Sequence, residues 1–174
     1  MTLSLAKKTK ADLLVVDDTP ANLQLLTGLL REQGYVVRAA LNGELALKAV
    51  VQQPPDLILL DIKMPGMDGF EVCAELKRRS ESRDIPVIFI SALSDTQDKV
   101  RAFEMGGADY ITKPFHESEV LARIRTQLHL VEATKALKES DELSRSLLES
   151  VAEGIVGVDS EGKATFFRQL VLCC

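Results

Sequence analysis

Short apolar runs recur at Leu13–Val16, Val36–Ala39, Leu57–Leu60, Val87–Ile90 and Tyr110–Ile111. Each has the length of a strand, and the stretches between them carry apolar residues at helical spacing. Strands that are apolar without alternation imply burial on both faces, as in a parallel sheet between two helical layers. Thr19-Pro20 places an N-cap before a proline at the first helical position, and Gly34 follows the last turn, which predicts a helix over 20–33. Asn42 opens a second helix that must stop before Pro54-Pro55. Further helices are predicted over 69–79, over 95–105 up to Gly106-Gly107, and after Pro114. Five strands, each followed by a helix, make five βα units.

The fifth helix outlasts the domain it closes. From Glu117 to Ser150 there is neither Pro nor Gly, and helix formers dominate. At about 1.5 Å per residue, a continuous helix of that length spans roughly 50 Å. Leu121, Ile124, Leu128 and Val131 keep a 3/4 spacing, which then shifts through Leu137 to Leu143, Leu147 and Val151. Two readings stand open: a helix that packs on its own domain and frays after Val131, or a two-stranded coiled coil. Beyond it, Ile155–Val158 and Ala164–Phe167 flank Asp159-Ser160-Glu161-Gly162, a hairpin signal too short to be a domain.

Composition narrows the function classes. The chain has 174 residues, 46% hydrophobic, with 21 Lys+Arg against 26 Asp+Glu and a formal net charge of −5. That length suits one domain with a remainder. No basic stripe can neutralise a phosphate backbone, so direct nucleic-acid binding is disfavoured. Cys73, Cys173 and Cys174 make no disulfide framework and read as reduced thiols. With no run approaching 18 apolar residues and no apolar segment near Met1, no membrane span or leader is expected, and the reading is a soluble, cytoplasmic chain.

Candidate chemistry gathers at the carboxyl ends of the expected strands. Asp17-Asp18 follow the first, Asp61 ends the third, Ser91 ends the fourth and Lys113 follows the fifth. Open parallel sheets bind ligands at that rim. Each residue alone is ordinary turn or cap chemistry; four such features on one rim are much harder to obtain by accident. Three close carboxylates need a cation or raised pKa values, and hard oxygens of that charge suit Mg²⁺. An ammonium and a hydroxyl match the remaining oxygens of a phosphoryl group, and a carboxylate can itself be the nucleophile, forming an aspartyl phosphate. The chain offers no Walker-A loop, no Cys/His cluster and no nucleophile elbow. His116 and His129 read as surface residues.

The runs Leu13-Leu14-Val15-Val16-Asp17-Asp18, Asp61-Ile62-Lys63-Met64-Pro65-Gly66-Met67-Asp68-Gly69 and Asp109-Tyr110-Ile111-Thr112-Lys113-Pro114-Phe115 together resemble the receiver domain of two-component response regulators, over about residues 11–130. The resemblance implies a flavodoxin-like (βα)5 α/β fold, a doubly wound parallel sheet of order 2-1-3-4-5. It implies that Asp61 accepts a phosphoryl group from a histidine kinase or histidine phosphotransfer protein. In the same pattern Asp18 ligates Mg²⁺ directly together with Asp61, Asp17 acts largely through water, and the Lys63 carbonyl completes the protein ligands. Ser91 and Lys113 bind the phosphoryl oxygens, and the Lys113-Pro114 peptide is expected to be cis. Tyr110, two positions after Ala108, is expected to change rotamer as Ser91 moves toward the phosphoryl group, making Ser91 and Tyr110 the switch.

Leu147 to Phe167 resembles the opening of a PAS sensory domain, and the chain departs from that pattern abruptly at Arg168. The expected organisation is thus an N-terminal tail over 1–10, a receiver over 11–130, a helical or coiled-coil linker over 131–150 and a truncated PAS-like segment over 151–174. Receiver, helix and PAS in this order resemble regulators that carry a diguanylate cyclase, of which nothing is present. The expectation is a phosphorelay switch, not an enzyme with a separate substrate, forming a homodimer through the C-terminal helix. The alternative is a phosphorylation-independent interaction module that keeps the fold as a scaffold. An aspartate-nucleophile phosphohydrolase is disfavoured, since no insertion could supply a capping segment, and so is a flavin-binding flavodoxin, which needs a Ser/Thr-rich phosphate loop.

Overall fold

The computed structural model describes residues 11–92, 96–151, 157–158 and 164–166, with side chains for 11–92 and 99–146. The expected N-terminal tail, the hairpin turn at 159–162 and Cys173-Cys174 lie outside the described residues. Five strands, β1 (Asp12–Val16), β2 (Val36–Ala40), β3 (Leu57–Asp61), β4 (Val87–Ser91) and β5 (Asp109–Thr112), alternate with five helices. These are α1 (Pro20–Glu32), α2 (Gly43–Gln52), α3 (Gly69–Arg78), α4 (Thr96–Glu104) and α5 (Glu117–Val151). The strands form one parallel sheet in the order β2-β1-β3-β4-β5. Fold class and strand order are those the resemblance implied.

Successive residues of each strand serve opposite faces, which explains why the strands are apolar throughout. Leu14, Val16, Ile58, Leu60, Val87 and Phe89 pack with α2, α3 and α4 through Ala46, Val50, Val72, Leu76 and Ala102. Leu13, Val15, Leu57, Leu59, Ile88 and Ile90 pack with α1 and α5 through Leu26, Leu30, Val120 and Ile124. Each fully buried Leu or Ile contributes about 2 kcal/mol. The strands run to Asp61 and Ser91, one residue beyond their apolar runs, because the ladder pairs Asp61 with Ile90 and Ser91 with Thr112. Hydrogen bonding thereby carries two polar side chains to the rim of the sheet.

Local signals start the helices, with one departure. Asn42 caps α2 by accepting from Leu45 N at 2.9 Å. Asp68 and Glu71 form a reciprocal capping box on α3. Thr19 occupies the N-cap position of α1 without a side-chain cap bond; its backbone N–H instead donates to Asp17 Oδ1 at 2.8 Å. At Gly69 a Cβ would collide with the Asp61 carbonyl, so only glycine lets α3 start this close to β3.

The chain divides into two units, residues 1–131 and 132–174. α5 extends through both, and its described surface beyond Val131 is exposed. In the second unit β6 (Gly157–Val158) pairs antiparallel with β7 (Ala164–Phe166), the pairing expected of the hairpin. Among the described residues no helix is long and apolar enough to cross a membrane.

Candidate functional site

The strand order places β1, β3, β4 and β5 side by side, so four separated stretches of sequence meet at one rim. Asp17 and Asp61 there are 1% and 6% exposed, Ser91 is 1% exposed, and Asp18 is half-buried. One carboxylate oxygen each from Asp17, Asp18 and Asp61 lies within 4.8 Å of the others. Lys113 Nζ stands 2.8 Å from Asp17 Oδ2 and 3.2 Å from Asp61 Oδ1. The Lys113 backbone N–H donates to Ser91 O at 2.8 Å, and the Lys113-Pro114 peptide is cis. The candidate residues of β1, β3, β4 and β5 therefore converge.

The electrostatics follow from one ammonium among three acids. Burial foremost, and then the Asp17 and Asp18 charges, push the Asp61 carboxyl above its ordinary range despite the pull of Lys113. Burial by itself would lower the Lys113 ammonium, but the hydrogen bond to Asp17 and the charge of Asp61 outweigh it and hold the group above the ordinary lysine range. Lys113 therefore stays charged, and the cluster keeps an excess of negative charge. Clustered hard oxygens with an uncompensated charge fit a small dication such as Mg²⁺.

A cavity of about 530 Å³ opens beside the acids, lined by Asp18, Ile62, Lys63, Met64, Pro65, Asp68, Phe70 and Arg101. Lys63 lies two positions past Asp61 with its side chain exposed. The Arg101 guanidinium lies 4.3 Å from the Phe70 ring centroid, which holds a second cation at the cavity wall. Tyr110 is buried on β5 opposite Phe89, and Lys99 Nζ sits 5.6 Å from its ring. His116 and His129 are exposed.

Two contributors escaped the sequence reading. The Asn22 amide Nδ2 lies 3.0 Å from both Asp17 oxygens, and Arg101 lines the cavity from α4. Asn in the first turn of α1 is a faint signal, because short polar residues are common at helix starts. Arg101 gave no signal at all.

The pattern of response regulator receiver domains matches residues 13–125. The chain belongs to this family. It is 41% identical over 142 residues to the DNA-binding dual master transcriptional regulator RpaA of Synechocystis sp., covering 81% of this chain and 59% of that protein. It is 44% identical over 116 residues to the response regulator PleD of Caulobacter vibrioides, covering 67% of this chain and 26% of PleD. A putative response regulator from Chloroflexus aurantiacus superposes with a TM-score of 0.67 at 33% identity, over 69% of this chain and 98% of that one. NtrX from Brucella abortus gives 0.70 at 28% identity, over 82% of this chain and 34% of NtrX. The chain thus spans less than two thirds of the length of these curated relatives, 59% of RpaA and 26% of PleD. A receiver acts as a phosphoryl-accepting switch with a phosphorylatable Asp, and its family binds Mg²⁺ at an acidic pocket of the kind formed here.

Proposed function

We propose that Asp61 is the phosphoacceptor of this receiver, and that its donor is the phosphohistidine of a histidine kinase or phosphotransfer protein. An Asp61 oxygen attacks phosphorus, the P–N bond to the donor imidazole breaks, and the departing nitrogen keeps the electron pair and takes a proton. Lys113 follows the charge from the Asp61 carboxylate onto the phosphoryl oxygens. Ser91 supplies a hydroxyl at the same rim. Asp18, Asp61 and the Lys63 carbonyl would hold Mg²⁺ directly and Asp17 would act on it through water, and the ion would supply further neutralisation of those oxygens. The observation that carries the reading is the buried Asp61–Lys113–Asp17 cluster, drawn from three strands.

Conversion to a dianionic group beside Ser91 changes the local charge. Movement of Ser91 toward it, with Tyr110 turning into the vacated space, transmits that change to the surface of α4 and α5. The test of acceptor chemistry is intact-protein mass after incubation with Mg²⁺ and a small phosphodonor. A single adduct on the wild type and none on Asp61→Asn supports the reading. An unmodified, folded wild type favours the phosphorylation-independent interaction module instead.

The organisation proposed is a receiver over 11–130, a linker over 131–150 and a PAS-like opening over 151–174, in a cytoplasmic regulator that is not itself an enzyme. The linker pairs two copies of the chain. Support comes from Val131, Leu137 and Leu143, exposed large apolar residues on the linker part of α5. Sedimentation at high concentration should show a dimer that Leu137→Lys weakens; a monomer at every concentration rejects this pairing.

A further inference from the structure

Asp17 and Asp18 are neighbours in sequence with different surroundings. Asp18 is less buried and accepts only a long 3.4 Å bond from Thr19 Oγ1. Asp17 is buried and held from three sides. Thr19 N donates to Oδ1 at 2.8 Å, Lys113 Nζ to Oδ2 at 2.8 Å, and Asn22 Nδ2 lies 3.0 Å from both oxygens. A carboxylate has about four acceptor positions, so these donors come close to saturating it. Thr19 and Lys113 each hold one oxygen. Asn22 spans both and so fixes the plane of the carboxylate, from the first turn of a helix anchored in the core by Leu23 and Leu26.

We infer that Asn22 is a positioning residue that sets the ion specificity of the acidic rim: by holding Asp17 against Thr19 and Lys113, it withholds that carboxylate from direct coordination. The inference rests on Asp17, Asp18 and Asp61 being the ion site. With Asp17 withheld, few protein oxygens remain to bind an ion directly. Mg²⁺ suits such a site because it retains several waters and demands strict octahedral geometry. Ca²⁺ prefers six to eight oxygens in looser geometry, and gains from any additional carboxylate that can swing in. Asn22 therefore favours Mg²⁺ by restraint, without touching the ion.

The test is calorimetric titration of the full chain with Mg²⁺ and, separately, with Ca²⁺, comparing wild type and Asn22→Leu. Leucine keeps the size and helical compatibility of the side chain while removing the donor. The ratio of the Ca²⁺ to the Mg²⁺ dissociation constant should fall about tenfold, the scale at which groups orienting a ligand act. Weaker Mg²⁺ binding, with Ca²⁺ binding unchanged or tighter, produces that fall. Thermal unfolding without ions checks that the variant folds; if it does not, Asn22→Ser, too short to span both oxygens, should give the same fall. Equal weakening of both ions marks a purely structural role and overturns the inference, as does an unchanged ratio. A wild type that binds neither ion overturns the ion-site reading itself, and the inference with it.

Discussion

At the N-terminal end of the sheet, Asp12 meets Arg38 Nε at 3.1 Å and Gln53 Nε2 at 2.8 Å. Arg38 also donates to the Ala49 and Gln53 carbonyls at the end of α2, and Asp56 accepts from Asp12 N at 2.7 Å. Nearby, Lys77 Nζ donates to Arg83 O and Ile85 O, each at 2.8 Å. At the opposite end, three carboxylates gather and two of them, Asp17 and Asp61, share one ammonium. One rim closes its polar groups into bonds that tie strand to helix. The other buries a carboxyl, Asp61, whose pKa is raised by that burial foremost and then by the Asp17 and Asp18 charges, and it gathers hard oxygens of the kind that suit a small dication. The same sheet thus anchors the fold at one edge and holds reactive groups at the other, which is why ligands collect at the carboxyl edge of such sheets.

Asp61→Asn should have the largest effect, complete loss of the phosphoryl adduct by intact mass. The same variant tests the cost of burying that carboxyl beside two other acids. A raised carboxyl pKa means that the folded state disfavours ionised Asp61. Without metal, the wild type should lose stability as pH climbs from the ordinary carboxylate pKa through the raised one, and remain lower above it. Asp61→Asn should lack that loss, the two melting curves converging on the acid side. Parallel pH profiles would mean that Asp61 titrates alike in folded and unfolded chains.

Lys113→Met removes the sole cation bonded to Asp17 and Asp61 among the described residues. It should cost about 3 kcal/mol in denaturant unfolding, the scale of breaking a buried ion pair, and adding Mg²⁺ should recover part of that loss. No recovery would count against a cation site at this rim. Arg38→Met should cost about 2 kcal/mol, from the three bonds that its guanidinium gives to Asp12 and to the Ala49 and Gln53 carbonyls, with the rate of phosphorylation unchanged. A change in that rate would show that the two rims are coupled. Asn42→Ala should cost about 1 kcal/mol through the lost cap, measured by thermal unfolding.

The strands and most helix starts were legible because each carries a local signal. Continuous apolar runs marked strands buried on both faces, and Asn42 marked the start of α2. Thr19 was legible as a position and not as a role. A threonine before a proline normally caps with its hydroxyl, but its N–H is taken up by Asp17 while the hydroxyl lies toward Asp18. Asn22 was missed for the same reason, since its amide acts on a residue whose orientation depends on that turn. Arg101 reached the cavity wall through a ring thirty-one positions earlier, a pairing no local period encodes.

By itself, the sequence determined which segments are strands, which are helices, and which polar residues end the strands, because burial and hydrogen-bonding demands are written in local periodicity and punctuation. Its motifs also carried the family resemblance, and through it the strand order. The tertiary structure decided who meets whom. Lys113 reaches Asp17 across 96 positions of chain because β1, β3, β4 and β5 lie adjacent and in register. It also decided that Asp17 is buried and held by several donors while Asp18 is only half-buried, a difference between identical adjacent side chains that follows from where the backbone places each of them.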